Sequence, residues 1–409
     1  MKPKTRSLSL SVTAFLVVFH SVLFTITTSI DGQEFRTVHD GIEYAEVTRM
    51  IDGQPVRMNL LRLDLTRVRL DVVHAGNTVI GTEKTSVIAA NHRAVAAINA
   101  GFFRLDNSAF AGDPAGILQI DGKLLSESNK GRIAMEITND PTSCQSCAIP
   151  KNQTVVSFDH LNTFAEFWSQ QNRFNILGIN RELKDNDAVL YTPEQGRRTM
   201  LSVLEVLEVI IDNKKIKSVA VTSGGAEVPL HGFVLMATGT KKAELSSFAK
   251  VGNEAITILG SYSDREPGAA SNARMKFIDV EDIVGGVPQL IKNGKIDVSW
   301  EKEGASKSFF ETRHPRTAVA KLKDGKFLMI TVDGRSESSG GISLNDLTAY
   351  LFELGATDAM NLDGGGSTTM YLDGKVVNHP SDKEGERPVS DVLIVTLRTK
   401  TKLSRSARK

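Results

Sequence analysis

Phe327-Leu328-Met329-Ile330-Thr331-Val332-Asp333-Gly334-Arg335-Ser336 and, thirty residues on, Asp358-Ala359-Met360-Asn361-Leu362-Asp363-Gly364-Gly365-Gly366-Ser367-Thr368-Thr369 decide the reading of this chain. Each begins as an apolar run of strand length and breaks at Asp-Gly. Between them Ser343 is an N-cap with Asp346 three residues on, a capping-box-like arrangement. Leu344, Leu347, Leu351 and Leu354 recur at helical spacing, and Gly355 follows as a stop. Strand, helix and strand in under forty residues make a βαβ unit, and its two strands are expected to run parallel. Parallel strands put their carboxyl ends on one edge of a sheet, so Asp333 and Asp363 should share an edge.

Working outward, hairpin signals dominate. Ile51-Asp52-Gly53-Gln54 separates two β-favouring runs, Asp121-Gly122-Lys123 separates two more, and Asn293-Gly294 makes a type I′ turn. Short helices are expected over Ser86–Ala90 and Ala243–Val251. Ala94 to Ile98 reads as a buried strand ending at Asn99-Ala100-Gly101-Phe102-Phe103, where Asn99 by itself reads as a turn cap. No repeat of fixed period and no Pro-rich linker interrupts the chain. The fold class expected is α+β: a mixed, strand-rich sheet with hairpins and a C-terminal βαβ unit carrying the site.

The chain has 409 residues, 41% of them hydrophobic, with a formal net charge of +1. That is enough for a sizeable core, and no global field points to nucleic acid. Lys2, Lys4 and Arg6 precede an uncharged run from Leu8 to Ile30. This pattern is a secretory signal, with cleavage expected after Ser29; the other reading is an uncleaved anchor. The expected organisation is a signal over 1–29, an N-terminal strand region over 30–93, a main domain over 94–398 and a basic tail over 399–409. The location implied is secreted or cell envelope, with no stable membrane insertion once the signal is removed. Cys144 and Cys147 are the two cysteines. In an exported chain they are read as a small-loop disulfide, because no second pair completes a zinc site.

Positive charge gathers around the two Asp-Gly ends. Arg313-His314-Pro315-Arg316-Thr317 precedes an apolar run, Arg335 follows Asp333, and Arg387-Pro388-Val389 precedes the last strand. Guanidinium groups converging with glycine-rich backbone N–H groups suit phosphate, which they bind bidentately. The Gly364–Thr368 run is no Walker loop, because the lysine is missing and the spacing differs. The two Asp-Gly sites also lack the Asp-Thr-Gly of an aspartic-protease dyad.

These stretches, with Gly285-Gly286-Val287-Pro288 and Arg387-Pro388-Val389-Ser390, resemble the phosphodiester glycosidases in order and spacing. The likeness covers roughly residues 94 to 398. It departs at Ala100 and Ala320, where that family usually carries glycine. What the resemblance implies is hydrolysis of a sugar C1–O–phosphate bond in a glycosyl phosphodiester. A phosphate ester is a good leaving group, so the site needs cations on the phosphate. It also needs one carboxylate to activate water or stabilise an oxocarbenium ion. On that basis Asp333 and Asp363 compete for the catalytic role. Arg316 and Arg335 are assigned to phosphate. Asn99, Ser367 and Thr368 are assigned to sugar hydroxyls or phosphate oxygens, and Gly364, Gly365 and Arg387 complete the substrate-binding set. No protein ligand set demands a metal, although a divalent cation near the acids is compatible with the sequence. Two other functions fit the same residues: a non-catalytic cell-envelope glycan-binding protein, and a hydrolase of phosphate-linked envelope polysaccharide.

Overall fold

The computed structural model describes residues 34–129, 131–139, 153–264 and 275–398. The signal expected over 1–29, the Cys144–Cys147 pair and the basic tail lie outside them. Among the described residues no helix is long and apolar enough to cross a membrane.

The architecture corrects the α+β expectation. Among the described residues strands hold 49% and helices 11%, so the fold is mostly β. The physical reason lies in the turns. Asp52, Asp121, Asn213, Asn293 and Asp373 all adopt left-handed φ near 50° at tight reversals. Such reversals return the chain antiparallel after a few residues and leave little length for crossover helices. Of the expected short helices, one forms at Thr85–Asn91 and the other lies earlier than expected, at Gly239–Ser246.

Two sheets frame the site. In the eight-stranded one, the six strands that matter run in the order Ile42–Ile51, Gln54–Leu63, Phe327–Val332, Arg316–Leu322, Ala356–Asn361, Gln289–Lys292. The second has five strands, in the order Lys375–Val376, Met370–Leu372, Ala96–Asn99, Asp391–Leu397, Val68–His74. Residues before position 94 are thus built into the same sheets as the last strands: Gln54–Leu63 pairs with Phe327–Val332, and Val68–His74 pairs with Asp391–Leu397.

The strand–helix–strand unit is present with one change. Phe327–Val332 and Ala356–Asn361 are not hydrogen-bonded neighbours; Arg316–Leu322 lies between them, antiparallel to both. Two strands antiparallel to a common partner run parallel to each other. Asp333 and Asp363 therefore leave the sheet at the same edge, across from Pro315 and Arg316.

Period-two alternation explains how this sheet is buried on both faces. Leu61, Val319, Met329 and Met360 pack toward Ile98, Met370, Leu393 and Val395 of the five-stranded sheet. Leu60, Ala318, Ala320, Leu328 and Ile330 pack the other way, against Leu344, Leu347 and Leu351. Those leucines belong to the helix Leu344–Glu353, whose cap is as expected: the Ser343 hydroxyl accepts from the Asp346 N–H.

Candidate active site

The Asn361–Thr369 segment is fastened by Asn99. This side chain is fully buried. Its amide donates to the Asp363 carbonyl at 2.7 Å, and its Oδ1 accepts from the Thr317 hydroxyl at 2.8 Å and the Thr369 N–H at 3.1 Å. All three contacts are within the protein. The Ala100 carbonyl adds a fourth tie, accepting the Asp363 N–H at 2.9 Å. Asn99 thus joins the strand ends at 99, 317 and 361 into one rigid edge.

The glycines serve the protein's own groups. A Cβ at Gly366 would stand 2.3 Å from Arg387 Nη2, and one at Gly365 would stand 3.0 Å from Arg335 Nη2. At Gly364 it would meet the Pro315 carbonyl at 2.8 Å. Gly365 also takes a left-handed φ of 61°, which favours glycine. The missing side chains let two guanidinium groups lie against this backbone. Ser367, Thr368 and Thr369 follow, with buried hydroxyls that make no hydrogen bond of good geometry.

Asp363 keeps part of its surface accessible, although protein atoms pack it on nearly every side. Its Oδ1 accepts from the Gly364 N–H at 2.9 Å. Burial pushes its pKa up to about 6. The nearby Ser367 hydroxyl, the Gly364 N–H and the Arg387 charge oppose the rise, and Asp391 adds to it. A carboxyl of this kind is ionised at pH 7 and exchanges a proton just below it.

Asp333 lies in a different setting. It is 2% exposed. Its Oδ1 accepts from the His379 N–H at 3.0 Å and the Asn378 amide at 3.2 Å. Its Oδ2 faces His379 Nδ1 at 3.5 Å and Arg57 Nε at 3.9 Å. Its backbone is held as well, with the carbonyl accepting from the Ser339 hydroxyl at 2.6 Å. Burial raises its pKa against the pull of His379, Asn378 and Arg57. Asn378 also donates to the Thr368 carbonyl at 3.0 Å and accepts from the Met370 N–H at 2.7 Å. It is the bridge from Asp333 to the second Asp-Gly segment.

The arginines divide in the same way. Arg316 is 2% exposed and is held by backbone. Its Nη2 donates to Phe309 and Thr312 carbonyls at 2.7 and 2.8 Å, its Nε donates to Ile342 at 3.3 Å, and its guanidinium lies over the Phe309 ring. Burial, with the Arg335 charge nearby, lowers its pKa to about 10. Arg335 is exposed, left-handed at φ 62°, and reaches Ser381 at 3.4 Å. Arg387 is paired with Asp382 at 2.6 Å. His314 joins the cluster, its pKa lowered by burial and then by Arg316 and Arg335.

Asn378, His379, Arg57, Asp382 and Asp391 had no part in the sequence-derived set. Asn378 and His379 follow a short hairpin whose Asp373-Gly374 turn was the only signal in reach. Among the described residues, no group of three or more His, Cys, Asp or Glu side chains is placed to hold a metal ion.

Residues 206–396 match the family model described as phosphodiester glycosidase. The N-acetylglucosamine-1-phosphodiester alpha-N-acetylglucosaminidase of Bos taurus is 27% identical over 188 residues, 41% of this chain and 35% of that protein. An uncharacterised Bacillus subtilis prophage protein, YomE, is 42% identical over 84 residues, 20% of this chain and 13% of its own length. The chain thus spans a minor part of the curated relatives it matches. Among solved structures, a hypothetical protein from Synechocystis superposes with a TM-score of 0.72 at 22% identity, covering 90% of this chain and 64% of that one. A Burkholderia pseudomallei protein whose name marks it as a candidate for export superposes with a TM-score of 0.69 at 24% identity, covering 83% and 74%. Those two likenesses concern the fold. The sequence match contains Asp333, Asp363, Arg316, Arg335 and Arg387, and over residues 206–396 the chain is similar to the phosphodiester glycosidases.

Proposed function

We propose that this protein hydrolyses the sugar C1–O–phosphate bond of a glycosyl phosphodiester, releasing free sugar and a phosphomonoester. One observation carries the reading. Asp363 is a carboxyl held near pKa 6. It stands beside a glycine backbone that the Arg335 and Arg387 guanidinium groups bracket. Cations at that place hold the charge that builds on a departing phosphate ester. A carboxylate beside them can take a proton from water or face the developing oxocarbenium ion.

In this reading Asp363 acts at the sugar C1. Arg335 holds phosphate most directly, because its side chain is exposed and lightly tied. Arg387 contributes with Asp382 as its resting partner. Asp333 organises Asn378 and His379. Asn99 and Arg316 hold the strand ends, and the buried Ser367 hydroxyl favours the charged form of Asp363. The residue pattern over 1–29 supports export. N-acetylglucosamine is the first sugar to test, since the bovine relative is named for it.

Incubation of the purified chain with UDP-N-acetylglucosamine and a panel of glycosyl phosphodiesters tests the reading. Release of reducing sugar that disappears in Asp363→Asn is expected. Binding without release, measured by calorimetry, would replace it with a glycan-binding role.

A further inference from the structure

Beneath the Asn99–Gly101 turn lies a buried acid that the proposed chemistry leaves unused. Asp391 is 1% exposed and begins the strand Asp391–Leu397. Its Oδ1 accepts from the Gly101 N–H and its Oδ2 accepts from the Ser390 hydroxyl. Its own carbonyl accepts from the Ala100 N–H at 3.1 Å. Across the ladder it stands opposite His74, which is 4% exposed. The His74 Nδ1 lies 3.1 Å from the Ala75 carbonyl. No Cβ fits at Gly101 without meeting the Asp391 carboxylate, at 2.9 Å. An acid and an imidazole placed opposite each other in a core are expensive to build.

The connection to the site is direct. Asp391 holds Ala100 and Gly101, and Ala100 in turn holds the Asp363 N–H through its carbonyl. We propose that Asp391, backed by His74, is a positioning residue for Asp363, acting through the Asn99–Gly101 turn and through its own buried negative charge. This deepens the phosphodiester glycosidase reading and rests on it for its catalytic meaning, while the tie from Asp391 through Gly101 and Ala100 to the Asp363 N–H stands on geometry.

The charges around Asp363 come from several elements. Arg387 and Asp382 face it from the segment before the last strand. Arg316 packs against Gly364 and Arg335 against Gly365. Asp391 is the other acid that acts on it, with His74 opposite Asp391 on the neighbouring strand. Burial raises the Asp391 pKa, while His74, Ser390 and the Gly101 N–H favour its charged form. Burial lowers the His74 pKa against the pull of Asp391. A charged Asp391 favours the protonated form of Asp363, because two like charges in one site repel.

Carbon-13 NMR of the full chain, labelled at aspartate side-chain carboxyls, reads this without any substrate. The Asp363 resonance is identified by its loss in Asp363→Asn. In the wild type its midpoint should lie above pH 5; a midpoint near the ordinary value of about 4 overturns the proposal with no further variant. Asp391→Asn keeps an acceptor for the Gly101 N–H and removes the charge. The Asp363 midpoint should then fall by on the order of one unit. A folded Asp391→Asn protein with an unmoved midpoint overturns the proposal. Should that variant not fold, Asp391→Ser carries the same expectation with a smaller acceptor. Activity is a separate readout. If wild-type protein cleaves no glycosyl phosphodiester, the functional reading fails while the titration still decides the coupling. If it does cleave one, the acid limb of kcat/KM should move with the midpoint.

Discussion

Two strand ends in this protein carry the same short signature, an apolar strand that stops at Asp-Gly, and leave the same sheet edge side by side. Burial raises the pKa of both carboxyls, but their partners differ. Asp333 is 2% exposed and has several partners: the His379 N–H and Asn378 amide on one oxygen, Arg57 and the His379 ring near the other without a hydrogen bond, Ser339 on its carbonyl. Asp363 has the Gly364 N–H, with the Ser367 hydroxyl nearby, and keeps part of its surface accessible. What separates them is the next residues. Gly334 leads into Arg335 and a serine-rich turn that folds back on Asp333. Gly364 leads into two more glycines, which keep bulk away from Asp363 and admit guanidinium groups. An acid tied down by several partners organises a site, and an acid with an accessible face can react.

The largest test of that contrast is substitution of each acid in turn. Asp363→Asn should lower turnover of a glycosyl phosphodiester by about 10³-fold, the scale of a lost acid–base group. Asp333→Asn keeps the acceptor that serves His379 and Asn378, and should cost roughly 10-fold by the same measure. If Asp333→Asn proves the more damaging, the two roles exchange. In the wild type, kcat/KM should be lost as pH falls through about 6, where Asp363 takes up its proton.

The arginines offer the next test. Arg335→Ala should lower kcat/KM by about 10²-fold, as expected for loss of a charge-assisted donor to the transition state. It should barely change the urea midpoint, because the residue is exposed and lightly tied. Arg316→Ala should do the reverse in part. It empties a buried site and orphans the Phe309, Thr312 and Ile342 carbonyls, at a cost of about 3 kcal/mol. Equal effects of the two on stability would show that Arg335 is structural too. Similarly, Asn99→Ala should destabilise by about 2–4 kcal/mol in urea unfolding, since it strands three buried polar groups at once.

Much of this frame was legible beforehand because it rests on local rules. Period-two alternation and Asp-Gly or Asn-Gly turns gave the hairpins. The Ser343 cap and leucine spacing gave the one long helix. The shared edge of Asp333 and Asp363 followed from the strand–helix–strand order, and it survives the insertion of Arg316–Leu322 between them. The fold class was misjudged because three clear helical signals weighed more than their length warranted: the longest of the described α-helices has 10 residues. The partners were not legible. Asn378, His379 and Asp391 reach the site through pairings of strands distant in sequence, and no local pattern marks them. The direction of a side chain is equally hidden. Arg316 and Arg335 look alike in the sequence, and only packing shows that one is held by carbonyls while the other is open.

The smallest expected effect concerns the cost of keeping Asp363 ready. Its folded-state pKa, about 6, lies above the ordinary 3.8. For an acid whose pKa is raised by folding, the native state binds the proton more tightly than the unfolded state. The charged form then works against the fold at high pH, and the penalty fades as pH falls through the window between the two values. Replacing Asp363 by asparagine removes the charge and keeps an acceptor for the Gly364 N–H. Asp363→Asn should therefore be inactive and also more stable than wild type at pH 8, by about 1–2 kcal/mol. The gain should shrink toward zero by pH 4. Asp333, whose charge is met by His379 and Arg57, should show a smaller gain on the same substitution. Urea unfolding of both variants at pH 8, 6 and 4 measures the difference. A loss of stability in Asp363→Asn at pH 8 would mean that its carboxylate is as well satisfied as that of Asp333, and the contrast between the two strand ends would collapse.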